Sequence, residues 1–301
     1  MLTPFDKFSG VLRDAQIQQS LDLTRHEFDD VMKWHKSVAW SIRAQALPGR
    51  FNAGLAETRG NRVSMEDSGA LYENRNISMI GIFDGHGGRL VSDWASTNLL
   101  PLLALRLKGL KHPLEIRKKI KNVFYGDENS VDNILSRSIN SRIPGSCVII
   151  VISVDDYIYV VNMGDSRAVL FTETQAVRLT CDHKPMGKEI KKVEALGGTV
   201  EYFRGVPRVD GKLAVTRALG DFDCNIHRRP QISCITREIE PSYLIIATDG
   251  LWDVIHEDKI KVLIGEELKM NTSPEVLTFK LVEQALEMKS TDNISVVAIR
   301  L

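Results

Sequence analysis

Several acidic residues of this sequence stand in one kind of place. Asp84 and Asp249 each end a short apolar run and precede a glycine, and Asp292 comes just before another such run. Glu66 and Asp67 close the segment Arg62-Val63-Ser64-Met65-Glu66-Asp67. The end of a strand on a rigid sheet holds a side chain well, and a neighbouring glycine lets backbone approach a ligand. Taken singly, an Asp-Gly pair is most often a turn. Four or five carboxylates gathered at one end of a sheet repel one another and need cations, and oxygen-only ligands suit magnesium or manganese. The four cysteines, Cys147, Cys181, Cys224 and Cys234, are scattered without a Cys-x-x-Cys pair, so neither a zinc site nor a disulfide frame is expected. No chemistry is assigned to them.

The elements that must position these acids follow from periodicity. Ile77 to Phe83 is a short, largely apolar run, read as a buried strand that delivers Asp84. Residues 89 to 124 carry Leu99, Leu102, Leu103, Leu107 and Leu110 on one helical side, and the basic run 117 to 121 is read as a solvated face. Cys147 to Val154 and Tyr157 to Met163 form a hairpin across Asp155-Asp156, and a further strand runs through Ala168 to Phe171. Residues 181 to 210 are polar and loop-like. Tyr243 to Thr248 is a strand ending at Asp249, and two helices follow. The second opens at Ser273-Pro274-Glu275, with a hydroxyl cap, a proline at the first position and an acid in the first turn. A last strand runs from Ile294 to Leu301. Strands and helices in blocks favour α+β layering, two packed sheets with helix pairs outside. Residues 1 to 48 are expected to be a helical N-terminal extension packed on the remainder, residues 49 to 301.

The 301 residues allow one large domain or two small ones, at about 150 residues per domain. Lys plus Arg (39) cancels Asp plus Glu (39), so no global field draws the chain to nucleic acid or anionic lipid. No apolar run reaches the roughly 20 residues of a membrane span. The first residues lack a basic stretch followed by an apolar one, so secretion is not expected. With reduced thiols, a cytoplasmic and/or nuclear location is expected.

The acids belong to a longer ordered set. Arg62-x-x-Met65-Glu66-Asp67, Asp84-Gly85-His86-Gly87-Gly88, Asn162-x-Gly164-Asp165-Ser166-Arg167-Ala168 and Asp182-His183-Lys184-Pro185 are followed by the run from Arg208 to Asp221. Then come Asp249-Gly250-Leu251-Trp252-Asp253 and Asp292-Asn293-x-Ser295. From about residue 51 onward the chain resembles the metal-dependent protein phosphatase family, the type 2C serine/threonine phosphatases. The resemblance implies a β-sandwich of two antiparallel sheets flanked by pairs of helices (α-β-β-α layers), with two Mg2+ or Mn2+ ions at one end. It implies that Asp84 bridges both ions, the Gly85 carbonyl binds one, Asp249 and Asp292 complete the second, and Glu66 and Asp67 hold bound waters. Asp165 and Asp253 would form, with Asp249, a weaker third metal position. The implied reaction is hydrolysis of phosphoserine or phosphothreonine in protein substrates by a metal-bridging water. Arg62 suits two phosphate oxygens with its planar fork, and His86 suits protonation of the leaving alkoxide. His183 is expected to organise its loop. About 183 to 210 matches a flap, where Lys188, Glu189, Lys191, Lys192 and Glu194 either shape substrate choice or form a solvated helix face, and Arg208 is a candidate for substrate binding. Partners are phosphorylated proteins, without nucleic acid or membrane, and the chain is expected to be a monomer.

Three positions depart from the family pattern. Ser68-Gly69 stands where many relatives have a histidine two places after Met-Glu-Asp, Cys147-Val148 replaces a common Thr-Ala, and Thr216 replaces a serine. Two other readings are weighed: a pseudophosphatase serving as an interaction scaffold, and a two-metal nuclease. The ligand acids are all present, against the first. The neutral charge and lack of a basic, aromatic-studded groove argue against the second.

Overall fold

The computed structural model describes residues 2–4, 42–126, 128–138, 144–237 and 242–301. The chain divides into two units, each built on a six-stranded antiparallel sheet packed with helices.

The first unit takes Glu66–Ser166 and Thr180–Thr236. Its sheet runs Leu2–Pro4, Ser68–Glu73, Ile77–Phe83, Val148–Val154, Tyr157–Met163 and Gln231–Thr236. Ile77–Phe83 and Val148–Val154 are buried at every position, which is why their sequence is a largely apolar run, each with one buried serine. Asp155 has a φ of 49°, the positive value that a two-residue hairpin turn asks of its first central residue. The helix Leu90–Leu107 buries Val91, Ala95, Leu99, Leu103 and Leu107, a stripe at every fourth position, in one cluster with Met79, Phe83, Ile150 and Ile152 of the sheet. Residues 89 to 124 form two helices, because Gly109 at φ 79° ends the first and Pro113 opens the second, Pro113–Phe124. Arg117, Lys118 and Lys121 are exposed around buried Ile120, the solvated face expected of this run.

The polar stretch 181 to 210, expected as loop, contains the helix Lys188–Glu194 and the hairpin Val200–Phe203 with Val206–Val209. They close over a small cluster of Cys147, Val193, Val209, Val215, Ala218 and Ile226. A seven-residue helix that buries only Glu189 and Val193 leaves no apolar period to read.

In the second unit the sheet order is Ala176–Arg178, Arg167–Phe171, Tyr243–Ala247, Ile294–Arg300, Asn52–Thr58 and Arg43–Leu47. The helices Glu257–Lys269 and Pro274–Glu287 share one cluster with it, through Ile260, Ile264, Leu277, Leu281, Ala285, Ile245, Val296 and Ala298. Pro274 opens its helix as expected, but the Ser273 side chain makes no capping hydrogen bond.

The expected helical extension over residues 1 to 48 is corrected at both described ends. Leu2–Pro4 and Arg43–Leu47 are edge strands, one on each sheet. Their backbones pair with groups that the neighbouring strand would otherwise leave open. The helical reading of residues 5–41 lies outside the described residues. No helix among the described residues is long and apolar enough to cross a membrane.

Candidate active site

In the first unit, buried Ile77–Phe83 ends at half-buried Asp84, whose carbonyl accepts the Cys147 N–H at 2.8 Å. The next two residues, Gly85–His86, pair with Gly145–Ser146, which pairs in turn with Leu219–Gly220. Gly85 must be a glycine, because a Cβ there would overlap the Glu66 carbonyl and the Ser92 hydroxyl. That hydroxyl donates to the same carbonyl at 2.7 Å, and the Glu66 carboxylate accepts the Gly88 N–H at 3.3 Å. Glu66 is thereby fixed against the Asp84-Gly85-His86-Gly87-Gly88 turn, and neighbouring Asp67 is buried.

Asp84 and Asp165, which the motifs assign to different metal positions, lie close together, and a third side chain joins them. One ligand atom each from Asp84, Cys147 and Asp165 lie within 4.8 Å of one another. The Cys147 thiol donates to one Asp165 oxygen at 3.4 Å, while Lys184 Nζ lies 3.6 Å from the other. Two oxygens bound to one magnesium ion sit up to about 4.2 Å apart, so the two acids fit a hard cation. The sulfur is a soft donor that such ions do not seek. The sequence reading gave Cys147 no part here. Its one signal was that it stands where a threonine is common, and only the fold brings it between two acids from other strands.

His86 is half-buried, and its Nε2 lies 2.8 Å from Asp221, an acid that is only 2% exposed. Sequence reasoning passed over Asp221.

In the second unit strand pairing brings two acids to one end of the sheet. Tyr243–Ala247 runs antiparallel to Ile294–Arg300 with Ala247 opposite Val296, so Asp249, just beyond one strand, and Asp292, just before the other, stand at the same sheet end. The Thr248 N–H donates to the Ser295 carbonyl and the Ser295 N–H to the Thr248 hydroxyl, both at 3.1 Å. A Cβ on Gly250 would overlap the Asn293 carbonyl, which keeps the helix Asp249–Trp252 close to that turn. Asn293 Nδ2 donates to the Arg59 and Ser64 carbonyls at 2.9 and 3.0 Å. The loop so anchored carries Arg62, whose Nη2 is 2.6 Å from Asp292 Oδ2. Asp253 is exposed at the end of the short helix, its N–H donated to the Asp249 carbonyl. Arg208, on the flap hairpin, donates to the Lys212 carbonyl just beyond that hairpin at 2.6 Å.

The flap charges are not all solvated. Glu189 is buried, 2.5 Å from Lys192 Nζ, 3.5 Å from Arg217 and 3.1 Å from the Thr216 hydroxyl. These cations and hydrogen bonds outweigh the desolvation that opposes them and hold its carboxyl below the usual range. Thr216 thus keeps a hydroxyl where the family favours serine. Ser68 donates to Asp93 at 2.7 Å, and Arg89 pairs with the same acid at 3.0 Å.

His183 organises its loop as expected. Its Nδ1 accepts the Gly164 N–H at 3.1 Å, and its own N–H donates to the Gly164 carbonyl at 3.0 Å. Burial, chiefly, pushes its pKa down from 6.5 to about 3, with Arg217 adding to the shift. The unfolded ring takes up a proton below pH 6.5 that the folded ring refuses, so stability is whole above that pH and drains as pH falls toward 3. His227, also lowered mainly by burial, acts with the same sign. We expect a loss of about 2 kcal/mol between pH 7 and pH 5 from His183 alone, at about 1.4 kcal/mol per pH unit once the unfolded ring titrates. Urea unfolding at pH 7, 6 and 5 checks this, and a flat stability profile contradicts it.

Comparison with known proteins agrees with this architecture. Residues 51–294 match the family model described as protein phosphatase 2C. A rice (Oryza sativa subsp. japonica) protein, "Probable protein phosphatase 2C 52", is 34% identical over 262 residues, covering 84% of this chain and 51% of its own length. The chain therefore spans about half the length of that relative. A C. elegans sex determining protein superposes with a TM-score of 0.74 at 23% identity, over 85% of this chain and 66% of that one. A serine-threonine phosphatase 2C from Toxoplasma gondii superposes with a TM-score of 0.69 at 21% identity, over 86% and 99% of the two chains. The fold is that of these structures, and the chain belongs to the protein phosphatase 2C family.

Proposed function

We propose that this chain is a protein serine/threonine phosphatase that hydrolyses phosphoserine and phosphothreonine monoesters with a pair of Mg2+ or Mn2+ ions. Family membership supports the reaction class. The observation that carries the reading is the meeting of Asp84 and Asp165 at the end of a fully buried strand, two residues from His86. In the first unit Asp84 and the Gly85 carbonyl would hold metal, with Glu66 and Asp67 acting through waters and Asp165 at a weaker position; in the second, Asp249 and Asp292 would hold metal, with Asp253 at a weaker position. When bound, the ions lower the pKa of water from about 15.7 by several units and neutralise phosphate charge.

The chain's own residues do the rest. Arg62 takes two phosphate oxygens in its fork. It is paired with Asp292, and its side chain is 55% exposed, so exchanging the carboxylate for a phosphate needs no unburial. The transition state is loose and anionic, and most of the work is positioning and charge stabilisation. His86 gives its proton to the serine or threonine oxygen as the phosphorus–oxygen bond breaks, and regains one from solvent.

Hydrolysis of para-nitrophenyl phosphate and of a phosphothreonine peptide tests the proposal. We expect turnover with Mn2+ or Mg2+, abolished by EDTA and restored by excess metal. Metal binding without turnover on either substrate would overturn the phosphatase reading in favour of the scaffold.

A further inference from the structure

We propose that Asp221 is a positioning residue for His86, fixing which ring nitrogen the substrate meets. The inference rests on the reading of His86 as the proton donor. Nε2 of His86 lies 2.8 and 3.0 Å from the two Asp221 carboxylate oxygens, and the ring has no other hydrogen-bond partner among the described residues. Nε2 is committed to Asp221, so Nδ1 is the atom that donates to the leaving oxygen. A carboxylate on one ring nitrogen sets the tautomer and rotation of the other.

The surroundings hold this pair. A buried carboxylate is costly unless it is hydrogen-bonded, and Asp221 spends its charge on His86. Its backbone takes a φ of 49°, a conformation that Asp and Asn tolerate better than other side chains. The Asp221 N–H donates to the Pro144 carbonyl at 3.1 Å. The Arg228 guanidinium donates to the Asp221 carbonyl at 2.9 Å and to the Gly220 carbonyl, and its Nε lies 3.6 Å from Asp132. Gly145 completes the seat. It pairs with both His86 and Gly220, and a Cβ on it would overlap Asp221 Oδ2 and His86 Nε2 together. Only a glycine there leaves room for the bond.

In the step itself the Nδ1–H bond breaks and an O–H bond forms on the serine or threonine oxygen. The electron pair of the broken phosphorus–oxygen bond stays with that oxygen, while the oxygen of water bonds to phosphorus as one of its O–H bonds breaks and that proton passes to solvent. The ring keeps its Nε2–H on Asp221 throughout and takes its next proton at Nδ1 from solvent.

A double-mutant cycle of His86→Ala and Asp221→Asn, assayed on a phosphothreonine peptide and on para-nitrophenyl phosphate, tests this. Asn suits the positive φ and removes the charge. Asp221→Asn is expected to lower kcat on the peptide about 10-fold with KM changed less than about 2-fold, and to cost less on para-nitrophenyl phosphate, whose leaving group needs no proton. Added to His86→Ala, it should cost nothing more, because its effect runs through the ring. Equal losses on both substrates, an additive loss in the double variant, or no loss at all would overturn the proposal. If His86→Ala itself affects both substrates equally, the proton-donor reading fails instead, and the cycle separates the two. Should Asp221→Asn not fold, 15N–1H spectra of the Mg2+-loaded wild-type protein decide. A proton on His86 Nε2 is expected, and a bare Nε2 would overturn the assignment.

Discussion

Asp84→Asn is expected to lower metal-dependent hydrolysis of para-nitrophenyl phosphate about a thousandfold and to weaken Mn2+ binding measured by calorimetry. Asp84 carries the motif's bridging role and stands within reach of a second acid. It ends a strand buried at every position, its carbonyl is fixed by the Cys147 N–H, and its side chain faces Asp165 and Cys147. Removing a preorganised group that stabilises transition-state charge costs about a hundred- to a thousandfold, and a lost ligand to the ions belongs at the upper end. Asparagine keeps the shape and one oxygen but loses the charge. Without metal, that charge is repelled by Asp165, so the variant should unfold no earlier than the wild type in EDTA. Full activity in Asp84→Asn would remove the metal assignment. Lost activity with an equally large fall in melting temperature in EDTA would make Asp84 a structural residue.

The largest effect on stability is expected at Gly54. It lies in the strand Asn52–Thr58 beneath the first turn of Pro274–Glu287, where a Cβ would overlap the Glu275 N and Cα and fall 2.5 Å from the Pro274 carbonyl carbon. These are backbone atoms, so no side-chain rotation relieves them. Gly54→Val should cost about 3 kcal/mol, at the upper end of overpacking, and lower the melting temperature by roughly 6–12 °C. Gly265 gives the opposite sign from the same residue type. It sits inside Glu257–Lys269 with nothing nearer to its added Cβ than the Glu173 carbonyl at 3.7 Å, so Gly265→Ala should stabilise by up to about 1 kcal/mol. Calorimetric melting of both variants reads the contrast, and equal shifts would refute the packing argument.

Much of this was legible in the sequence because the informative strands are buried on every residue. Ile77–Phe83, Val148–Val154 and Tyr243–Ala247 announce themselves as apolar runs, and the acids at their ends follow. What was hidden depends on contacts across the chain. Cys147 looked inert because cysteines were judged by their spacing from one another, whereas its neighbours are Asp84 and Asp165. Asp221 belongs to a run already noted for its family pattern, but nothing local says that it points at a histidine 135 positions away. Glu189 is read from the sequence either as a charge that shapes substrate choice or as part of a solvated face, yet it is buried under Lys192, Arg217 and Thr216. Arg43–Leu47 is a five-residue edge strand, too short to outweigh the helical pattern read through residue 48.

The pairing of Tyr243–Ala247 with Ile294–Arg300 has one more consequence. Asp249 and Asp292 are spaced by hydrogen bonds running between two strands, as marks on a ruler are, and not by the stretch of chain that joins them. The turn between the helices Glu257–Lys269 and Pro274–Glu287 can therefore gain or lose residues without parting the two acids. A single residue inserted inside Tyr243–Ala247 would instead turn every following side chain to the opposite face and carry Asp249 away with it.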